Sequence, residues 1–453
     1  MRFDKISIMS LIILTAGLIM EAFGVRCSCV YLTIIYFFLL VSSIKKYSLI
    51  HSYSLFLLCF GVFLMGRVIL DVLGVMDINL ATKWHVHYFS ESTIRVVNTS
   101  MALSLIFIYV GLDSKVTYLK SKKNKEKLQS LYAFTKRIVI ILIPFAVAKL
   151  YFDFLQIRAG SYTDLYLNLQ RSPLLIRAGW YLATLILPIL LANTLEKKHF
   201  KVFFILFLLI SFFDFLQGSR GSLLRPGMFF LWYYYKVVSN KKVNNIIVIS
   251  VFLVFSFVAN TILEMRNNEN KLHSGALGQV MYVAEGLGSS YYVNTYYVEC
   301  HEELRGNDQL YVVGPVIDFF AGLFDHELRG QSETRVKRSY GLSHKLTYYI
   351  APQMYSEGHG FGCSYIAEIY STAGFVSLIL FSYLIGKFIS FVEFNIRRSP
   401  VVRIISWFWI QNLVFMPRAN LFGFVINMCI SLLLYYLISQ IHGTTSKPVL
   451  SIS

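Results

Sequence analysis

Charge is scarce in this sequence: Asp, Glu, Lys and Arg make up 15% of its 453 residues. Basic residues still outnumber acidic ones, 42 to 25, for a formal net charge of +17. No soluble basic domain carries that excess, so nucleic acid is not an expected partner. Cysteine is sparse and scattered (Cys27, Cys29, Cys59, Cys300, Cys363 and Cys429), and no Cys/His spacing fits a metal site. Cys300 and Cys363 could pair if both face an oxidising compartment. Strict apolar/polar alternation is missing, which argues against a membrane β-barrel. There is no internal repeat of fixed period and no low-complexity linker. A serine–histidine elbow, a Walker loop and a dinucleotide fingerprint are absent from any credible context. Neither a metal nor a cofactor is expected.

What is there is apolar: 56% of the residues are hydrophobic and 16% aromatic. Stretches of about twenty apolar residues follow one another, the length a helix needs to cross a bilayer. Hydrocarbon leaves backbone N–H and C=O no partner except another backbone group, so such stretches must be helical. The expected class is all-α and polytopic, with about twelve spans. They fall near 6–25, 29–44, 49–73, 94–112, 134–155, 176–195, 201–217, 222–238, 245–264, 364–387, 401–417 and 419–440. The basic start, Met1-Arg2-Phe3-Asp4-Lys5, precedes an apolar run with no small-residue cleavage site, so it reads as an uncleaved first helix.

Lysine sets the orientation. One face receives Lys45, Lys46, the run from Lys115 to Lys127, Lys197, Lys198, Lys201, Lys241, Lys242 and the pair Arg397–Arg398. The other receives only Lys83, Lys271, Lys337 and Lys345. The positive-inside rule then puts both termini in the cytoplasm. Three regions follow: a bundle of about nine helices over 1–264, a large periplasmic loop with interfacial helices over 265–362, and the last three helices over 363–453. The apolar runs Ala276–Val298 and Leu310–Phe324 stay outside, because a crossing pair would make acidic Glu299–Gln309 cytoplasmic.

Arginine does not follow lysine. Arg26, Arg95, Arg158, Arg171, Arg177, Arg220, Arg225, Arg335, Arg338 and Arg418, among others, fall on or near the outer face. Each one singly is explained by snorkelling or a nearby acid. The set is better explained by an outward anion site, since the guanidinium fork suits phosphate and keeps its charge when desolvated.

Four stretches could carry chemistry. Asp214–Pro226 sets Arg220, Arg225, Gly218 and Gly221 between two apolar runs, with Pro226 expected in the first turn of the next helix. Glu357–Tyr370 places three glycines at alternate positions before an apolar helix, with His359 on the turn and Glu368 one turn inside. A carboxylate there must be paired or protonated; it orients a sugar hydroxyl, acts as a general base, or is the buried partner of an arginine. His359 is the second candidate base, or an exposed loop histidine. The short loop from Arg158 to Arg177 and the turn Met416-Pro417-Arg418-Ala419-Asn420 lie on the same side.

Two of these motifs, Gly218-Ser219-Arg220-Gly221-Ser222 and Gly360-x-Gly-x-Ser-x-Ile-Ala-Glu-x-Tyr, resemble the O-antigen polymerase family. The order of many helices, a modest mid-chain loop and a large loop before the last three helices is similar over most of the chain. The resemblance implies a bacterial inner-membrane glycosyltransferase that joins undecaprenyl-pyrophosphate-linked oligosaccharide repeat units at the periplasmic face in lipopolysaccharide biosynthesis. It implies an arginine role for Arg220 and the acidic motif position for Glu368. Placement adds His359 as a catalytic candidate and Arg158, Arg225, Arg418 and Tyr370 as substrate-binding candidates. Expected partners are the lipid-linked glycans and membrane lipid, with a chain-length regulator protein as a candidate. An O-antigen ligase and a flippase for the lipid-linked repeat remain the alternatives.

Overall fold

A computed structural model describes residues 3–81, 86–112, 119, 125–159, 172–194, 196–216, 220–239, 245–246, 248, 250, 286–304, 310–328 and 330–445. The first helices are α1 (Lys5–Ala22), α2 (Ser28–Tyr47) and α3 (Ser52–Val72), followed by a two-residue antiparallel pairing of β1 (Leu80–Ala81) with β2 (His87–Tyr88). Then come α4 (Glu91–Leu112), α5 (Lys125–Ala159), α6 (Leu174–Ala192), α7 (Lys197–Leu216) and α8 (Arg220–Tyr233), the last extended by a π turn, Tyr234–Val238. Short helices follow: α9 (Tyr291–Glu299), α10 (His301–Leu304), α11 (Gly314–Phe324), α12 (Glu333–Arg338), α13 (Leu342–Ile350) and α14 (Pro352–Ser356). The chain closes with α15 (Tyr365–Asn395), α16 (Pro400–Phe415) and α17 (Val425–Thr445).

The protein is thus all-α and polytopic. Among the described residues, 7 helices (α1 to α6 and α15) are long and apolar enough to cross a membrane. Every expected span except 245–264 coincides with a helix. That one lies largely outside the described residues. The helices α9 to α14 are each too short for a bilayer, since even the 11 residues of α11 rise only about 16 Å.

Polar contacts stitch the two ends of the bundle. At the lysine-bearing end, Asp4 caps α1, accepts from Tyr109 (3.1 Å) and pairs with Lys46 (3.3 Å). Glu393 on α15 takes Lys236 at 2.7 Å, the backbone and hydroxyl of Ser52 at 2.7 Å each, and the Trp232 indole at 2.8 Å. Buried Arg403 donates to the carbonyls of Ile396 and Ala192, each at or just past a helix C-terminus. A cation there meets both unsatisfied carbonyls and the negative end of the helix dipole. At the opposite end Glu21 pairs with Arg95 (3.2 Å), and Arg26 with Glu91 (3.5 Å).

Helix α4 lies at the centre, almost wholly buried. Its Gly111 meets Gly386 of α15 so closely that a Cβ on either would reach within 2.9 Å of the other's Cα. Small residues permit that approach, and serine hydroxyls follow it along the seam. Ser382 bonds Ser104 (3.0 Å), and Ser390 bonds the Leu112 carbonyl (2.8 Å). Helix α3 carries a π turn at Gly61–Met65, where the Tyr36 hydroxyl enters the ladder and donates to Leu57 O (3.1 Å).

Two expectations need correction, and helix α15 carries a break: Ala373 and Gly374 leave helical geometry, with Gly374 at φ 60° and ψ −135°. The Ser377 hydroxyl repairs the gap by accepting from Ala373 N–H (3.1 Å) and donating to Ile369 O (2.7 Å). Helix α8 begins at Arg220, so Pro226 falls in its second turn and removes the bond to the Ser222 carbonyl. Cys300 and Cys363 are both free thiols.

Candidate functional site

The turn after α16 gathers several of the residues that the sequence singled out. Met416–Arg418 form one 3₁₀ turn, and Pro417 prevents α16 from continuing as an α-helix. Two side chains, Glu368 and Asn412, hold the next residues. Glu368 is fully buried on α15; its Oε2 accepts from the Leu421 N–H at 2.7 Å. Its Oε1 accepts from the Asn420 amide (2.7 Å) and the Cys363 thiol (3.1 Å). Asn412 of α16 donates to Leu421 O at 3.0 Å. The arginine partner that had been open for Glu368 is not among these contacts.

The glycine-rich loop lies against the same turn. Gly358 and Gly362 adopt φ of 87° and 88°, left-handed geometry that a side chain strains. A Cβ on Gly362 would lie 3.7 Å from the Arg418 carbonyl. His359, half-buried, donates its N–H to Met354 O (2.9 Å), and its carbonyl accepts from Gln331 (3.1 Å). Phe361 donates its N–H to the Thr347 hydroxyl (3.1 Å) and its ring lies 5.6 Å from that of Tyr296. The loop therefore has a fixed shape, set by α9, α13 and the segment before α12.

From the other side comes α8. The Arg225 guanidinium stacks 4.1 Å over the Phe415 ring, one residue before the turn. Gly221 lies beside the same ring, where a Cβ would come within 3.7 Å of Phe415. Phe415 in turn meets Phe63 of the α3 π turn, ring centres 4.9 Å apart. A cation over an aromatic face is held in place by attraction to the ring's negative face. The structure thus brings together Arg225, the Arg418 turn, the His359 loop and Glu368. Tyr370, on the short first segment of α15, contacts Phe375 just beyond the break (5.4 Å). The side chains of Arg158 and Arg220 lie outside the described residues; only their places, at the end of α5 and the start of α8, are given.

A family model described as O-antigen polysaccharide polymerase Wzy matches residues 5–447. The chain belongs to that family. No curated protein and no solved structure matches it. The polymerase carries further buried charge that the sequence reading passed over. Arg67, 1% exposed on α3, lies with its guanidinium carbon 4.1 Å over Tyr292 and donates to that hydroxyl. Lys149 and Asp153 pair within α5. The available signal was simple: a charged residue inside an apolar span has a reason to be there. Several outer arginines already have partners. Besides Arg26 and Arg95, Arg338 pairs with Asp325 (3.0 Å), and Arg335 donates to Gly330 O (2.6 Å).

Proposed function

We propose that this polymerase extends O-antigen at the periplasmic face of the bacterial inner membrane, around the turn Met416–Leu421. The donor is a growing glycan on undecaprenyl pyrophosphate, and the acceptor is a hydroxyl of a second lipid-linked repeat. The acceptor oxygen forms a bond to the anomeric carbon as the bond to the pyrophosphate oxygen breaks. Undecaprenyl pyrophosphate leaves, and the acceptor proton passes to a base. Charge builds on the leaving pyrophosphate, and Arg225, Arg418 and Arg220 are the cations offered to it. The observation that carries this placement is the Arg225–Phe415 stack, which sets a guanidinium beside a turn already fixed by Glu368.

Of the two candidate bases, the geometry favours His359 as the proton acceptor, on a shaped and partly open loop. Glu368, with both oxygens engaged by three donors, acts as the positioning residue. Tyr370 and Arg158 complete the substrate-binding candidates, and no metal or cofactor is invoked. Lipopolysaccharide from strains with and without the gene tests the reading on a gel. Loss of the ladder, with lipid A core still bearing a single repeat, supports polymerisation. Loss of every capped form sinks it in favour of ligation or flipping. Arg225→Ala and Arg220→Ala are each expected to cut extension by about 10²–10³-fold while leaving membrane insertion intact. Wild-type chain lengths in a well-expressed variant would remove that arginine from the mechanism.

A further inference from the structure

Some of the charges unused by that reading lie between α5 and α6. Lys149 and Asp153 stand one turn apart within the apolar stretch Leu128–Gln156, in contact through Nζ and Oδ2, with side chains 17% and 13% exposed. Lys149 Nζ also lies 4.2 Å from the centre of the Trp180 ring on α6. Gly179 packs on Phe145, where an added Cβ would come within 2.6 Å of the phenylalanine Cβ. Helices α5 and α6 run in opposite directions, so that contact sets the register. Two residues back from Gly179, Arg177 falls at the level two residues past Phe145, about 3 Å from the level of Lys149. Arg177 and Trp180 are three apart and share a helix face. Arg177 Nε is buried and makes no hydrogen bond.

Among the described residues, two cations and one carboxylate leave these two helices one positive charge in excess here, which calls for an anion. The surface around it is apolar and exposed: Tyr151, Phe152, Leu155, Leu174 and Leu175 face outward from the same helices. A ligand that approaches here must be lipid-borne. We propose that Lys149, Arg177 and Trp180 form a lateral dock for the phosphate groups of an isoprenoid-pyrophosphate lipid arriving in the plane of the bilayer. The dock connects to the turn that bears Arg418. The Tyr181 hydroxyl donates to Asn427 (2.7 Å) in the first turn of α17, which starts just beyond that turn. Asp153 competes for Lys149 and limits the net charge. The inference rests on the proposed function for the identity of the lipid, and the shared chemistry, a lipid phosphate, has bulk phospholipid as its other source.

The test uses the full chain in nanodiscs, with undecaprenyl pyrophosphate as probe and phosphatidylglycerol as competitor, read by native mass spectrometry. Lys149→Gln and Arg177→Gln are each expected to weaken probe binding about tenfold or more, and Lys149→Arg to retain it. Asp153→Asn is expected to bind as well as wild type or better, because it removes a competing anion. A pair that merely joins two helices predicts the opposite, a loss in Asp153→Asn equal to that in Lys149→Gln, and that result overturns the dock. Equal binding by all variants overturns it as well. Displacement by equimolar phosphatidylglycerol reassigns the cluster to bulk lipid. A wild-type protein that does not bind the probe at all removes the proposed function, not only the dock.

Discussion

A carboxylate shut away from water must be held by donors, and Glu368 is held by three from positions as far as 53 residues away. Removing it should therefore loosen the turn before it touches chemistry. Glu368→Ala leaves buried donors without acceptors, at about 1–3 kcal/mol for each group. Its melting temperature in detergent should fall clearly, and Glu368→Gln, which keeps one carbonyl oxygen, should fall less. An alanine variant that melts like wild type would mean that the turn does not depend on Glu368. His344 makes a second residue-level prediction. Burial, then the nearby Arg335, hold its pKa down at about 3, so it stays neutral in the folded protein where the unfolded chain would take up a proton. Its contribution to stability is complete above about pH 6.5 and is lost as pH falls towards 3. Between pH 7 and 5 the wild type should lose melting temperature faster than His344→Gln; parallel curves would refute the assignment.

At the scale of elements, the break in α15 separates a short helix carrying Glu368 and Tyr370 from the membrane-crossing length that packs on α4. Apolar run length revealed a helix there, but not that it was interrupted, since Ala373-Gly374 looks like ordinary span sequence. The geometry decides it, because Gly374 sits where only glycine rests without strain. Gly374→Ala should cost about 1–3 kcal/mol of stability and shift Glu368 relative to the turn. A variant with unchanged melting and unchanged chain length would show that the break is dispensable. The glycine loop was easier to locate: three glycines before an apolar helix marked an irregular segment. What the loop packs against, Thr347 and the Arg418 carbonyl, was not readable from it.

For the molecule as a whole, the expected orientation follows from lysine: Lys45, Lys46, Lys197 and both termini belong to one side, and the candidate site to the other. Lys197 and Ser90 are exposed at opposite ends of the bundle. In a background without native cysteines, Ser90→Cys should react with a membrane-impermeant thiol reagent added to spheroplasts, and Lys197→Cys only after lysis. The reverse pattern would turn the protein over and move the proposed chemistry to the cytoplasm.

The sequence by itself determined the solvent of this protein and where most of its long helices fall. A bilayer demands helices of a set length, and that demand is met locally, by runs of apolar residues. It also marked the motif residues Arg220 and Glu368 that carry the family likeness. Only the tertiary structure decided what each charge is doing. Arg26, Arg95 and Arg338 are matched by acids, Arg225 is laid on Phe415, and Glu368 clamps a turn rather than pairing with an arginine. Charge pairing in a buried bundle depends on groups distant in sequence and close in space, and helix packing alone sets those neighbours.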